Sequence, residues 1–183
     1  MSRVKRRFFN SRVAFGHSSA RPARILVYTV APPTPKGPRI VQTHDIGIRA
    51  MRGVAVDYSG RSGAPVLVAV LDKIENGPTR RWVMHTAEKG VKVRQGGFSL
   101  RCATGATLVA TVVSPAVPRI SVTEGAGTDT IAIDGEGNFL VIMTVQPAGK
   151  AHPKVEIQGK DLGAEIRLGD SLVRFDGQDL AIR

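Results

Sequence analysis

The sequence predicts an all-β protein: an antiparallel β-sandwich of two or more layers, preceded by a flexible basic N-terminal arm. Three observations lead there. From Pro38 onward, short apolar or alternating runs are separated by Gly, Pro, Asn and Asp at intervals of about ten residues, the punctuation of a sandwich. No window of about 12 residues carries a convincing 3.6-residue apolar period. Two runs, 65–71 and 139–145, are apolar on both strand faces, as strands buried between layers are. At least one sheet is therefore expected to be covered on its second side.

The elements follow in chain order. Residues 1–37 read as a basic, proline-rich extension and 38–183 as the sandwich domain. The boundary is the stretch Ala31-Pro32-Pro33-Thr34-Pro35-Lys36-Gly37-Pro38, whose four prolines fix φ and remove four backbone donors. Strand-like runs then occupy 54–57, 65–72, 82–85, 90–94, 98–102, 107–113, 119–122, 130–133, 139–145, 154–157, 164–168, 172–175 and 180–182. Val91-Lys92-Val93-Arg94 and Glu165-Ile166-Arg167-Leu168 alternate apolar with charged, so each has one wet face. Asn76-Gly77, Asp134-Gly135 and Asp176-Gly177 are tight-turn signals, because both residues of each pair tolerate positive φ.

The chain has 183 residues, enough for one ordinary domain with a large core and no help from disulfides. Its only cysteine is Cys102. The formal charge of +11 is uneven: residues 1–24 hold seven basic side chains and no acid, leaving 19 basic against 15 acidic in the remainder. A basic arm can bind nucleic acid or another polyanion by releasing counterions; it can also be a solvated extension. No apolar run approaches the length of about 18 residues that a membrane helix needs. Lys5-Arg6-Arg7-Phe8-Phe9 precedes a stretch interrupted by Arg12, His17, Arg21 and Arg24, so no clear signal peptide is present. Exposed sheet edges leave room for a homo-oligomer.

The polar constellation that draws attention is His44, Asp45, Asp57, Asp72 and His85. His85 closes the run Trp82-Val83-Met84 and Asp57 closes Val54-Ala55-Val56. Were those strands neighbours, their ends would meet, and three or four N and O ligands at short range are what a zinc-type site requires. The alternative is that Asp57 and Asp72 cap turns while His85 is a histidine at the core edge. Tyr58, next to Arg61, could serve as a general acid or base, or pack against its loop. Aromatic residues are sparse, so neither sugar platforms nor base-stacking sheets stand out.

Val54–Tyr58 with Gly63-Ala64-Pro65, then Val68-Ala69-Val70-Leu71-Asp72-Lys73-Ile74, then Arg81-Trp82-Val83-Met84-His85, resembles the β-sandwich region of heparinase II/III-like polysaccharide lyases. The C-terminal strands at 153–157, 163–169 and 173–177 are similar to that domain's closing strands. The resemblance spans residues 41–183. It implies a part of an enzyme that cleaves uronic-acid polysaccharides by β-elimination, with a structural divalent metal on His44, Asp57 and His85. It also implies acidic-glycan contacts from Tyr58, Arg61, Arg80 and Arg81, extended by Arg49 and Arg52 into a basic face. Export to a bacterial periplasm or beyond would follow from the same likeness. In that family an α/α-toroid carries most of the catalytic groups, and this sequence has no helical pattern to build one. The expectation is therefore a structural or glycan-binding domain with little or no lyase activity alone, or a subunit whose toroid is a separate chain. The competing expectation is an unrelated sandwich whose basic arm binds nucleic acid or another polyanion.

Overall fold

A computed structural model describes the backbone of residues 23–30, 40–76 and 80–183, and the side chains of 49–76 and 80–183. Fourteen strands fill the described residues: β1 (Ala23–Val30), β2 (Ile40–Asp57), β3 (Val66–Glu75), β4 (Arg80–His85), β5 (Lys92–Arg94), β6 (Gly97–Arg101), β7 (Thr107–Ser114), β8 (Arg119–Glu124), β9 (Asp129–Gly135), β10 (Phe139–Gln146), β11 (Glu156–Gln158), β12 (Glu165–Leu168), β13 (Ser171–Phe175) and β14 (Leu180–Ile182). One 3-10 turn, Asp161–Gly163, is the single helical element among them.

The strands form three antiparallel sheets. A seven-stranded sheet runs in the order β1-β2-β3-β10-β7-β6-β5, a four-stranded sheet β11-β12-β13-β14, and a three-stranded sheet β4-β9-β8. The two doubly apolar runs lie side by side at the centre of the large sheet, as β3 and β10, in register from Phe139↔Asp72 to Val145↔Val66. Side chains alternate between faces along a strand. Leu67, Ala69 and Leu71 with Leu140 and Ile142 therefore pack on one side, against Ala164, Ile166, Leu168 and Val173 of the four-stranded layer. Val70, Val141 and Met143 pack on the other side with Phe98 and Val112, against Trp82, Ile131 and Ile133 of the three-stranded layer. The large sheet is thus the one covered on both sides, and the molecule is a sandwich of three layers. Each fully buried leucine or isoleucine contributes about 1.5–3 kcal/mol.

The large sheet continues into the range read as an extension. β1 pairs with β2 from Ala23↔Ala50 to Val30↔Ile40, while β3 reaches β2 only as far as Arg49. Among the described residues, 40–48 therefore pair with β1 alone. The remainder of the expected arm, residues 1–22, and the proline-rich stretch 31–39 lie outside the described residues.

Candidate functional site

The two flanking layers do not cover the large sheet completely. The core shared with the four-stranded layer takes Val113 from β7 and nothing from β5 or β6. Among the described residues, β5, β6 and most of β7 are therefore left open on that side. The registers Lys92↔Ser99, Ser99↔Val109 and Arg101↔Thr107 show what the open face presents. Phe98 and Leu100 point into the opposite core, so Ser99 and Arg101 point outward, with Lys92, Arg94, Thr107, Val109 and Thr111 on the same face. Its charged members are Lys92, Arg94 and Arg101, and none of these strand positions carries a carboxylate.

His152 closes one end of this face. It lies in the segment that leaves β10 and turns back towards the four-stranded layer. Its ring is held between two threonine hydroxyls of adjacent strands: Nε2 is 2.7 Å from Thr107 Oγ1 and Nδ1 is 2.8 Å from Thr144 Oγ1. A neutral imidazole satisfies both contacts by donating through one nitrogen and accepting through the other, and an imidazolium satisfies both by donating. Burial pushes the His152 pKa below the usual histidine range, and the Arg94 guanidinium lowers it further. Proton uptake here adds a fourth cation to the face.

Two local devices hold the face in shape. At Gly97, the first residue of β6, an added Cβ would stand 2.0 Å from the Ala110 carbonyl oxygen, so only glycine allows β6 and β7 to approach there. That same carbonyl accepts a 3.0 Å hydrogen bond from Arg94 Nη2, which fixes the guanidinium along the sheet. The second device is Asp129, a buried residue whose Oδ2 accepts hydrogen bonds from the backbone N–H groups of Gly90 at 2.8 Å and Val91 at 3.0 Å. Thr86 Oγ1 accepts from the Asp129 N–H at 2.9 Å, and the Thr86 N–H donates to the Asp129 carbonyl at 2.9 Å. This clamp ends at the residue before β5 and so positions Lys92 and Arg94.

The residues singled out from the sequence are placed elsewhere, and in separate places. Asp57 ends β2 on the side facing the four-stranded layer. Its carboxylate accepts from the Ser59 N–H at 2.8 Å and from Ser59 Oγ at 2.9 Å, with Ser171 Oγ at 3.5 Å. These bonds, the Ser59 N–H foremost, hold its pKa below the usual carboxylate range. His85 ends β4 in the three-stranded layer, exposed, with Nδ1 3.0 Å from Thr130 Oγ1. The expectation that the two strand ends meet is corrected: β2 pairs with β3 within the large sheet, with Asp57 on the face towards the four-stranded layer, whereas β4 pairs with β9 in the three-stranded sheet that covers the other face. His44 stands opposite Val27 in the β1–β2 pairing, and its side chain lies outside the described residues. Among the described residues, no group of three or more His, Cys, Asp and Glu side chains is arranged to hold a metal ion.

The expected glycan contacts are also divided. Tyr58 and Arg61 follow the end of β2, where Arg61 Nη2 donates to the Asp170 carbonyl at 3.2 Å and Tyr58 is exposed. Arg80 and Arg81 begin β4 beside Gly135 and Asp134, beyond the far end of β3. Leu67, opposite Asp57, and Glu75, opposite Arg49, are roughly 27 Å apart along that strand. Two of the expected arginines are already matched. Arg81 Nε and Nη2 donate to the Asp134 carboxylate at 2.6 and 3.1 Å. Arg52 donates through Nε and Nη2 to Asp72, both at 2.6 Å. Each pairing raises the arginine's pKa, and Arg81 holds that of Asp134 below its usual range.

Sequence reasoning passed over His152, Thr107 and Thr144: Thr107 precedes Thr144 by 37 residues and His152 by 45, and it reaches them only through the β7–β10 pairing. The alternation in Val91-Lys92-Val93-Arg94 was the available signal for the face itself. Comparison with known protein families finds none that matches this chain, and comparison with curated proteins finds no similar one.

Proposed function

We propose that this chain is a non-catalytic β-sandwich module of the heparinase II/III-like lyase type that binds an acidic polysaccharide on the open face of β5, β6 and β7. The observation that carries this reading is a row of strand positions with Lys92, Arg94 and Arg101, interleaved with Ser99, Thr107 and Thr111, and no carboxylate. Lys92 and Arg94 are two residues apart in an exposed strand, so the cations repeat roughly every 7 Å along it. A flexible chain of uronate or sulfate groups can meet such a row with its anions while its hydroxyls bond the serine and threonine side chains. Single-stranded nucleic acid needs stacking platforms as well as cations. The strand positions on this face include no aromatic residue, which favours the polysaccharide over the nucleic acid.

The test is binding of the full chain to immobilised heparin and to alginate across a salt gradient, with duplex and single-stranded DNA as comparators. The expected result is salt-sensitive retention on the glycans that is lost in the triple variant Lys92→Ala/Arg94→Ala/Arg101→Ala. Retention unchanged in that variant would refute the assignment of the face. The same preparations, incubated with heparin, heparan sulfate or alginate, are expected to form no unsaturated product detectable by ultraviolet absorbance, since a β-elimination site is attributed to a toroid outside this sequence.

A further inference from the structure

The four-stranded layer ends in a free strand edge, and that edge overlooks the cationic face. β14, at one side of the layer, lies on β2: a Cβ added at Gly53 would stand 3.4 Å from Leu180 Cβ. The turn Asp161–Gly163, which lies between β11 and β12 in the chain, reaches β10 and β7. The layer therefore crosses the large sheet from β2 towards β7, with β11 as its last strand. His152, just upstream of β11, sits against Thr107 of β7 and marks the same border. Beyond β11 the floor is the open face of β5, β6 and β7.

β11 is exposed at all three of its residues, Glu156–Gln158. It bonds β12 along one edge and, among the described residues, no strand along the other. An unpaired edge of this kind is a template for a further strand. Register shows which way its side chains point. Ile157 lies opposite Ile166, which is fully buried between the layers, so Ile157 also points to the floor. It is nevertheless 45% exposed, as an inward apolar residue is at an uncovered edge. Glu156 lies opposite Arg167 and Gln158 opposite Glu165, and both point away from the floor.

The geometry specifies what fits beside β11. An added strand takes its hydrogen bonds from the free edge and lays every second side chain on the floor. Those side chains meet Lys92, Arg94 and Arg101 among Thr107, Val109 and Thr111, so acidic ones are matched. Stacked sheets lie about 10 Å apart, a gap that a glutamate and an arginine or lysine span together. The alternate side chains point outward beside Glu156, where a second acid would be repelled, so uncharged ones are matched. A polysaccharide can meet the cations but has no row of backbone amides with which to continue the ladder.

We propose that β11 accepts an extended peptide with acidic residues at alternate positions, which lies over Lys92, Arg94 and Arg101 and displaces the polysaccharide; the displacement rests on the reading of this face given above, and the strand addition does not. The test uses the full chain and an acetylated, amidated hexapeptide alternating glutamate and threonine. Two isomers of equal charge are compared with it, one N-methylated at every glutamate and one at every threonine. In an added strand the N–H groups of alternate residues face the partner edge and the others face away. One isomer should therefore bind about tenfold or more weaker than the parent, while the other matches it. The β11 amides, unprotected in the free chain, should gain protection from hydrogen exchange when the parent peptide binds. The parent should also elute the chain from heparin, and Lys92→Ala/Arg94→Ala/Arg101→Ala should bind neither ligand. Equal affinity of the two methylated isomers would mean attraction by charge alone and would overturn the proposal. So would β11 protection in the free chain that disappears on dilution, which would give the edge to a second copy. One-register peptide binding by a chain that heparin does not retain would overturn the polysaccharide reading and leave the strand addition standing. Heparin retention that the peptide does not disturb would do the reverse.

Discussion

Two cationic regions of this molecule look alike in the sequence and differ in the fold. In one, Arg52 and Arg81 each face a carboxylate, Asp72 and Asp134, through two hydrogen bonds. In the other, Lys92, Arg94 and Arg101 share a sheet face whose strand positions carry no acid. The first set does structural work, because its charge is met inside the molecule. The second leaves its charge for an outside partner. Counting basic residues cannot separate the two; cross-strand register can, since Arg52 lies opposite Asp72 and Arg81 opposite Asp134.

The comparison is broken most severely by removing the surface on which the free cations stand. Gly97→Val forces a Cβ into the Ala110 carbonyl and should separate β6 from β7. A loss of about 2–3 kcal/mol in urea unfolding is expected, accompanied by loss of heparin retention; a stable variant that still binds would show that the close approach is unnecessary. The charge itself is tested by Lys92→Ala/Arg94→Ala/Arg101→Ala. The slope of log affinity against log salt should become shallower by roughly one for each cation removed, with the midpoint of unfolding unchanged. The matched set should respond in reverse. Arg52→Met strands Asp72, whose side chain is only 9% exposed, and should cost about 1–3 kcal/mol of stability while heparin retention stays intact. If Arg52→Met lowers affinity as much as the triple variant does, the distinction between the regions fails.

Much of the architecture was legible in the sequence because strand burial has a two-residue period. The doubly apolar stretches at 65–71 and 139–145 became the paired central strands β3 and β10, and alternation at 91–94 became the exposed edge strand β5. Layer membership was not legible. The chain leaves β3 and enters β4 in a different sheet, and nothing in residues 76–79 marks that crossing, so Asp57 and His85 were expected together and are placed apart. The candidate face was hidden for a related reason. Thr107 and Thr144 meet at His152 through long-range pairing, and the openness of β5 and β6 depends on where the four-stranded layer stops, a property of tertiary packing.

The smallest expected effect is also the one that tests the free region most finely. Burial and Arg94 hold His152 towards its neutral form, with a pKa below the ordinary histidine value of about 6.5. The stabilisation from that depressed pKa is fully present above the unfolded value and is lost as pH falls through it towards the lower folded one. A bound polyanion acts in the opposite direction, because it favours the imidazolium. Acidification should therefore weaken the fold slightly and strengthen binding, with a gain in heparin affinity of a few-fold between about pH 7 and pH 5. In His152→Gln, which keeps a polar group between Thr107 and Thr144 without the titration, both trends should vanish while affinity at neutral pH is retained. A pH dependence that survives the substitution would place the responsible group outside this face and leave Lys92, Arg94 and Arg101 without their titrating neighbour.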